Sequence, residues 1–166
     1  KRQVYTPLNN SEKYTLVLMG RADFGLLGSY NKYKQTPFET FHVGGDGMTG
    51  SYTYATETIG LRGYDNGALT PYSDGRAYTR FSMELHFPFL LQPSSTIYGL
   101  AFVEGGNAWT SLENFNPFSL KRSAGVGVRI FLPMIGLMGI DWAYGFDKVQ
   151  GEKGGGHFHF ILGQEF

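Results

Sequence analysis

The chain has no cysteine among its 166 residues. That excludes disulfide frameworks, thiolate metal sites and cysteine nucleophiles, and leaves the redox compartment open. It also lacks an apolar run near the roughly 18 residues a transmembrane helix needs, because Gly or Pro interrupts the longest apolar patches every few residues. A helical membrane protein is excluded on that ground. Charge is scarce and balanced: 17% of residues are charged, 14 basic and 14 acidic, mixed along the chain. Nothing therefore favours nucleic acid or an anionic surface as a partner. Ala, Lys and Glu, the usual helix formers, are few, and no secretory leader precedes Lys1, so a mature or trimmed piece of a longer protein is expected.

What the chain has instead is 24 glycines and 16% aromatic residues, a composition suited to tight turns and wide aromatic surfaces. Its strongest signal is period-two alternation, in which successive side chains face opposite sides of a sheet. In 14–30, Leu16, Leu18, Gly20, Ala22, Phe24 and Leu26 share one face, with Arg21, Asp23 and Ser29 on the other. In 77–89, Phe81, Met83, Leu85, Phe87 and Phe89 alternate with Tyr78, Arg80, Ser82, Glu84 and His86. Residues 96–109 set Ile97, Ala101 and Val103 against Tyr98, Phe102 and Glu104. Residues 120–132 set Ala124, Val126, Val128, Ile130 and Leu132 against Lys121, Ser123, Gly125, Gly127 and Arg129. The small Gly125 and Gly127 are expected to leave open space on the polar side. In 136–146, Met138, Ile140, Trp142, Tyr144 and Phe146 face one way, with Asp141 and Asp147 opposite. In 157–166, Phe158, Phe160, Leu162 and Phe166 share a face.

Six strands result, with a possible seventh at 2–8. Such alternation is the pattern of a membrane barrel wall, apolar toward lipid and polar toward the lumen. The short turns Asn9-Asn10-Ser11, Gln92-Pro93-Ser94-Ser95 and Pro133-Met134-Ile135-Gly136 contrast with a connection of roughly 45 residues at 31–76 and intermediate ones at 110–119 and 148–156. Short turns at one rim and long loops at the other match outer-membrane barrels. Seven strands fall below the minimum of about eight, and an open edge cannot stand in hydrocarbon. Further strands must complete the barrel.

Connections much beyond about 12 to 15 residues are usually functional or disordered. This one contains Phe41-His42-Val43-Gly44-Gly45-Asp46-Gly47 and then Ile59-Gly60-Leu61-Arg62-Gly63-Tyr64. Here the chain resembles the BamA/TamA superfamily of outer-membrane insertases and two-partner secretion transporters. In that family the sixth extracellular loop carries a Gly-Gly element and a (Val/Ile/Leu)-Arg-Gly-(Phe/Tyr) tip folded back into the barrel. Leu61-Arg62-Gly63-Tyr64 fits the tip. Ser82-Met83-Glu84-Leu85, Phe102-Val103-Glu104-Gly105 and Trp109 resemble the strands whose inward acidic groups hold the tip arginine. Alternation independently places Glu84 and Glu104 inward.

The resemblance runs from about residue 14 to 166. It implies an all-β, antiparallel transmembrane barrel, of which the chain would supply the last six or seven of sixteen strands, with the long loop folded inward. All of 1–166 would be barrel, and periplasmic POTRA domains would lie upstream. Arg62 offers a planar fork of donors that a lysine cannot match, and Gly63 permits a backbone conformation closed to other residues. With Glu84, Phe102 and Glu104 as partners, the tip is expected to latch the loop inside the barrel. The alternative is a solvated Arg62, with Glu84 and Glu104 lining a pore.

The terminal Phe158-His159-Phe160-Ile161-Leu162-Gly163-Gln164-Glu165-Phe166 resembles the β-signal that assembly machines read. In the family, the last strand pairs weakly with the first in a seam that opens sideways. Gly163 could weaken that strand, or could be an ordinary glycine near a rim. His157 and His159 are expected to be polar residues and not metal ligands, and Gly44-Gly45-Asp46-Gly47 a tight turn and not a cation or phosphate site. Tyr98, Trp109, Trp142 and Tyr144 are expected to form interfacial girdles.

By this resemblance the protein inserts other outer-membrane proteins from a bacterial outer membrane. Its partners would be unfolded outer-membrane clients, accessory lipoproteins and the lipid bilayer, with no cofactor, metal or nucleic acid. A secretion or translocation pore of the same superfamily is the alternative. An enzyme is not expected: Glu84 with His86 is the nearest constellation, and no motif positions a serine nucleophile.

Overall fold

A computed structural model describes residues 1–8, 15–28, 39–47, 56–70, 74–92, 95–133, 136–149 and 154–163. It is all-β, with strands β1 (Arg2–Pro7), β2 (Val17–Leu26), β3 (Thr40–Val43), β4 (Thr56–Ile59), β5 (Ala77–Gln92), β6 (Ser95–Trp109), β7 (Lys121–Leu132), β8 (Gly136–Gly145) and β9 (Gly156–Leu162). Seven form one sheet in the order β1-β2-β5-β6-β7-β8-β9. Every neighbouring pair in it is antiparallel. None of the described helices is long and apolar enough to cross a membrane.

The two faces of this sheet invert the usual rule of burial. Met83, Val103, Val126, Ile140, Trp142, Phe158 and Phe160 are exposed on one face, while Asp23, Glu84, Glu104, Ser123, Arg129, Asp141 and His159 are buried on the other. A continuous apolar face of this extent demands an apolar surrounding, and the period-two geometry of the strands keeps it separate from the polar face. The strand β5 carries Pro88, which has no N–H for the ladder. The register with β6 shifts between Pro88 and Leu90, where the sheet bulges.

The segment between β2 and β5 is not an irregular loop. β3 and β4 pair in parallel as a second, two-stranded sheet, and β3 is tied to the main sheet's flank by the bridge between Phe41 and Gly75. Here the connection between the two strands carries Gly44, Gly45 and Gly47, all at positive φ. Phe41, Val43, Ile59, Leu61, Tyr64 and Leu69 from this segment pack with Tyr78 and Ala108 of β5 and β6. This apolar cluster fastens the segment to the polar face of the main sheet.

Several expectations from the sequence are corrected. Gly125 and Gly127 leave no open space: a Cβ on Gly125 would collide with the Phe102 ring, and one on Gly127 with the Asp141 carboxylate. Large side chains from neighbouring strands have filled the room the glycines give. Tyr98 does not join the apolar face. It packs beside Leu100, Phe102 and Ala143, with its ring 5.3 Å from that of His86. Phe146 and Asp147 lie beyond the end of β8. Gly163 follows β9 instead of interrupting it, at φ +109°, and its N–H donates to the Leu137 carbonyl at 2.8 Å. Phe166 lies outside the described residues.

Candidate functional site

The chain after β4 turns at Gly60 and lays Leu61, Arg62, Gly63 and Tyr64 across the polar face of the main sheet. Each side chain has a distinct seat. Leu61 is fully buried in the apolar cluster, which at about 1.5–3 kcal/mol for a large aliphatic side chain is the main apolar anchor of the tip. Its neighbour Gly63 has φ +89°, and a Cβ there would lie 2.9 Å from the Ser123 Cβ and 3.0 Å from the Gly145 nitrogen. Both the conformation and the close approach restrict this position to glycine. The Gly63 N–H donates to His159 Nε2 at 3.0 Å. The Tyr64 hydroxyl donates to the Arg122 carbonyl at 2.6 Å.

Arg62 is only 4% exposed, and its guanidinium meets three carboxylates from three strands. Nη2 donates to Glu84 on β5 and, at 2.6 Å, to Glu104 Oε1 on β6; Nη1 donates to Asp141 Oδ2 on β8 at 2.9 Å. The backbone N–H of Arg62 donates to Glu104 Oε2 at 2.9 Å, so Glu104 binds both the side chain and the backbone of the tip. The guanidinium also lies 3.6 Å above the centre of the Phe102 ring, a stacking that favours a flat cation. A lysine could supply neither the fork nor the stack.

The carboxylates have further partners. Arg80 Nη2 donates to Glu104 Oε1 at 3.1 Å, as does the Ser82 hydroxyl at 3.0 Å. Arg129 grips Asp141 with both Nη atoms, and His86 Nε2 is 2.9 Å from Glu84. Three guanidinium groups (Arg62, Arg80, Arg129) thus face three carboxylates (Glu84, Glu104, Asp141). Burying ions costs several kcal/mol apiece unless their charges and hydrogen bonds are met. Withdrawing Arg62 alone would leave this group with a net negative charge.

The network is wider than the residues the sequence points to. Asp141, Arg80, Arg129 and His159 each touch the tip or its partners, although alternation assigned Asp141 and Arg129 only to a face. Parity along the strand could flag them as inward, but not as neighbours of Arg62, since they stand 79 and 67 positions away along the chain. The His157 and His159 rings stack with centroids 6.3 Å apart but have different polar partners: His157 Nδ1 is 3.2 Å from Asp65, and His159 accepts from Gly63. Among the described residues no cluster of His, Asp and Glu suits a metal ion. Phe158 and Phe160 are on the apolar face of β9, away from the tip.

At the adjoining rim, the Arg122 guanidinium and backbone N–H both donate to Asp147. These hydrogen bonds hold the Asp147 carboxyl below its ordinary range. Burial pushes the Tyr64 hydroxyl above its ordinary value.

A model of the Omp85 superfamily domain matches residues 1–166. The chain belongs to the Omp85 superfamily. Superfamily members are outer-membrane proteins of bacteria and organelles, with roles in inserting or secreting proteins. That membership accounts for the exposed apolar face of the sheet as a membrane-facing surface. No curated protein matches the chain.

Proposed function

We propose that this Omp85 chain is the C-terminal part of the barrel of a BamA-type insertase in a bacterial outer membrane. Further strands would complete a barrel of the family's sixteen, with β9 at the seam and the polar face turned toward the lumen. The Leu61-Arg62-Gly63-Tyr64 tip is then a latch: Glu84, Glu104 and Asp141 hold Arg62, Phe102 stacks on it, and the long loop stays docked inside the wall. Clients would be unfolded outer-membrane proteins, presented with the edge of the last strand, where Phe158, Phe160, Gly163 and Phe166 belong to the β-signal. Templating a strand by backbone pairing needs no covalent step. Accessory lipoproteins would bind upstream domains.

The observation that carries this reading is the ligation of Arg62 by carboxylates from three separate strands of the wall. A channel with a freely moving loop would not need so much buried charge devoted to one loop residue. In the full-length protein, Arg62→Glu is expected to lower the temperature at which the barrel unfolds and to reduce assembly of other outer-membrane proteins. Combining it with Glu84→Arg or Glu104→Arg should recover part of both. Loss of a secreted partner with normal barrel assembly would instead assign the chain to the secretion branch, and no effect on either would remove the latch.

A further inference from the structure

The β6–β7 connection makes three contacts with outward-pointing residues at the end of β6. The Leu120 side chain covers Gly105, where a Cβ would sit 3.4 Å from it. The Asn107 amide donates to the Ser119 carbonyl at 2.8 Å. The Phe115 ring packs edge-on against Trp109, with centroids 5.0 Å apart. Gly105, Asn107 and Trp109 share the parity of exposed Val103, so the connection folds back over the apolar face and not over the polar one.

The local chain geometry holds this flap open. Ser111 caps a 3₁₀ turn at Leu112–Asn114, and the Asn116 side chain and carbonyl accept from the N–H groups of Phe118 and Ser119. Within that scaffold Leu112 is exposed, and Phe118 is 86% exposed, the most exposed large apolar side chain among the described residues. Nothing within the sheet covers either one.

Register fixes the height of the flap. Asn107 lies level with Thr79 and Phe24, and Trp109 with Ala77 and Leu26. On the other side, Gly105 is level with Arg122, whose carbonyl accepts from the Phe146 N–H. Phe24, Leu26 and Phe146 are all exposed on this face. The flap therefore sits at the edge of the apolar belt, which Phe24, Leu26 and Phe146 still reach and where the exposed Arg122 begins the polar rim, and its own apolar side chains prolong that belt outward.

We propose that the β6–β7 connection is a membrane-interface flap, with Leu112 and Phe118 inserted among lipid acyl chains beside the barrel wall. This rests on the reading of the apolar face as lipid-facing. It adds that a loop beyond the strands belongs to the bilayer contact and not to the aqueous surface. Aromatic side chains at such a boundary gain from burial of the ring near the headgroups.

Nitroxide labels at Phe118→Cys or Leu112→Cys can test it. The full-length protein, with any cysteine outside this chain replaced by serine, would be placed in phosphatidylethanolamine–phosphatidylglycerol vesicles, with Val103→Cys and Lys148→Cys as lipid and water references. The expected result is an oxygen-to-nickel accessibility ratio at 118 and 112 shifted to that at 103 and well above that at 148. A ratio at 118 and 112 equal to that at 148, with 103 still lipid-like, overturns the flap and leaves the lipid-facing sheet standing. Labels at 118 and 112 shielded from both oxygen and nickel mean that protein covers the site, a partner or a second copy, and also overturn it. If the label at 103 is itself water-like, the reading of the sheet fails and the flap fails with it.

Discussion

The backbone N–H of Gly63 is bonded to the Nε2 atom of His159, 96 positions further along the chain, at 3.0 Å. The tip of the long connection is thereby joined directly to the last strand of the sheet. For Nε2 to accept, the ring must be neutral with its proton on Nδ1. The contact makes the seating of the tip and the placement of β9 one structural event.

His159→Phe keeps a flat aromatic ring at the position and removes the acceptor. A buried N–H left unmatched costs about 1–3 kcal/mol, so protease cleavage within residues 61–64 of the folded full-length protein should accelerate. His159→Gln, which can still accept, should show a smaller change. Equal cleavage in wild type and both variants would mean that the bond contributes nothing to holding the tip.

Asp141 joins Arg62 to Arg129, and both guanidinium groups are buried. Asp141→Asn should destabilise the barrel by about 3–5 kcal/mol, the cost of leaving buried charges without a partner. Because the three residues form one network, Asp141→Asn and Arg62→Ala together should cost less than the sum of the two separately. Thermal unfolding in detergent of the four proteins of this cycle measures the coupling, and strict additivity would break the network apart.

Gly63→Ala places a methyl group against Ser123 and Gly145 while forcing alanine to a φ of +89°. The tip should then lift from the sheet, exposing Leu61 and Tyr64. Quenching of Tyr64-sensitive fluorescence and faster hydrogen exchange at residues 59–64 are the expected readouts. Unchanged exchange would show that the wall can yield at this point.

Asp147 supplies a pH dependence whose sign is fixed. Its folded carboxyl titrates below its unfolded value because Arg122 donates to the ionised form. The contribution is therefore fully present above the unfolded carboxylate value, near 4, and is lost as pH falls through the lower folded one. Acidification below about pH 4 should loosen the rim near Tyr64, and Asp147→Asn should remove that part of the dependence. A pH profile identical in wild type and variant would deny Asp147 the role. At alkaline pH the raised Tyr64 hydroxyl has the opposite sign: its contribution is present below about pH 10 and is lost as pH climbs toward the folded value.

Alternation alone carried the assignment of faces. Leu85 and Glu84, or Ile140 and Asp141, fall on opposite sides of a strand because consecutive side chains in extended backbone must diverge. That rule is local, so the sequence by itself determined an all-β sheet with one apolar and one polar face. Resemblance to the BamA/TamA superfamily added the expectation of a glycine-bearing tip whose arginine takes acidic partners. Tertiary structure decided which partners. Asp141 and His159 reach the tip only through strand register across five strands and the path of a long connection. It also decided that Phe102 and Asp141 fill the room beside Gly125 and Gly127, and that residues 110–120 fold over the apolar face. Those outcomes depend on contacts between residues far apart in the chain, and a pattern of neighbouring side chains holds no record of them.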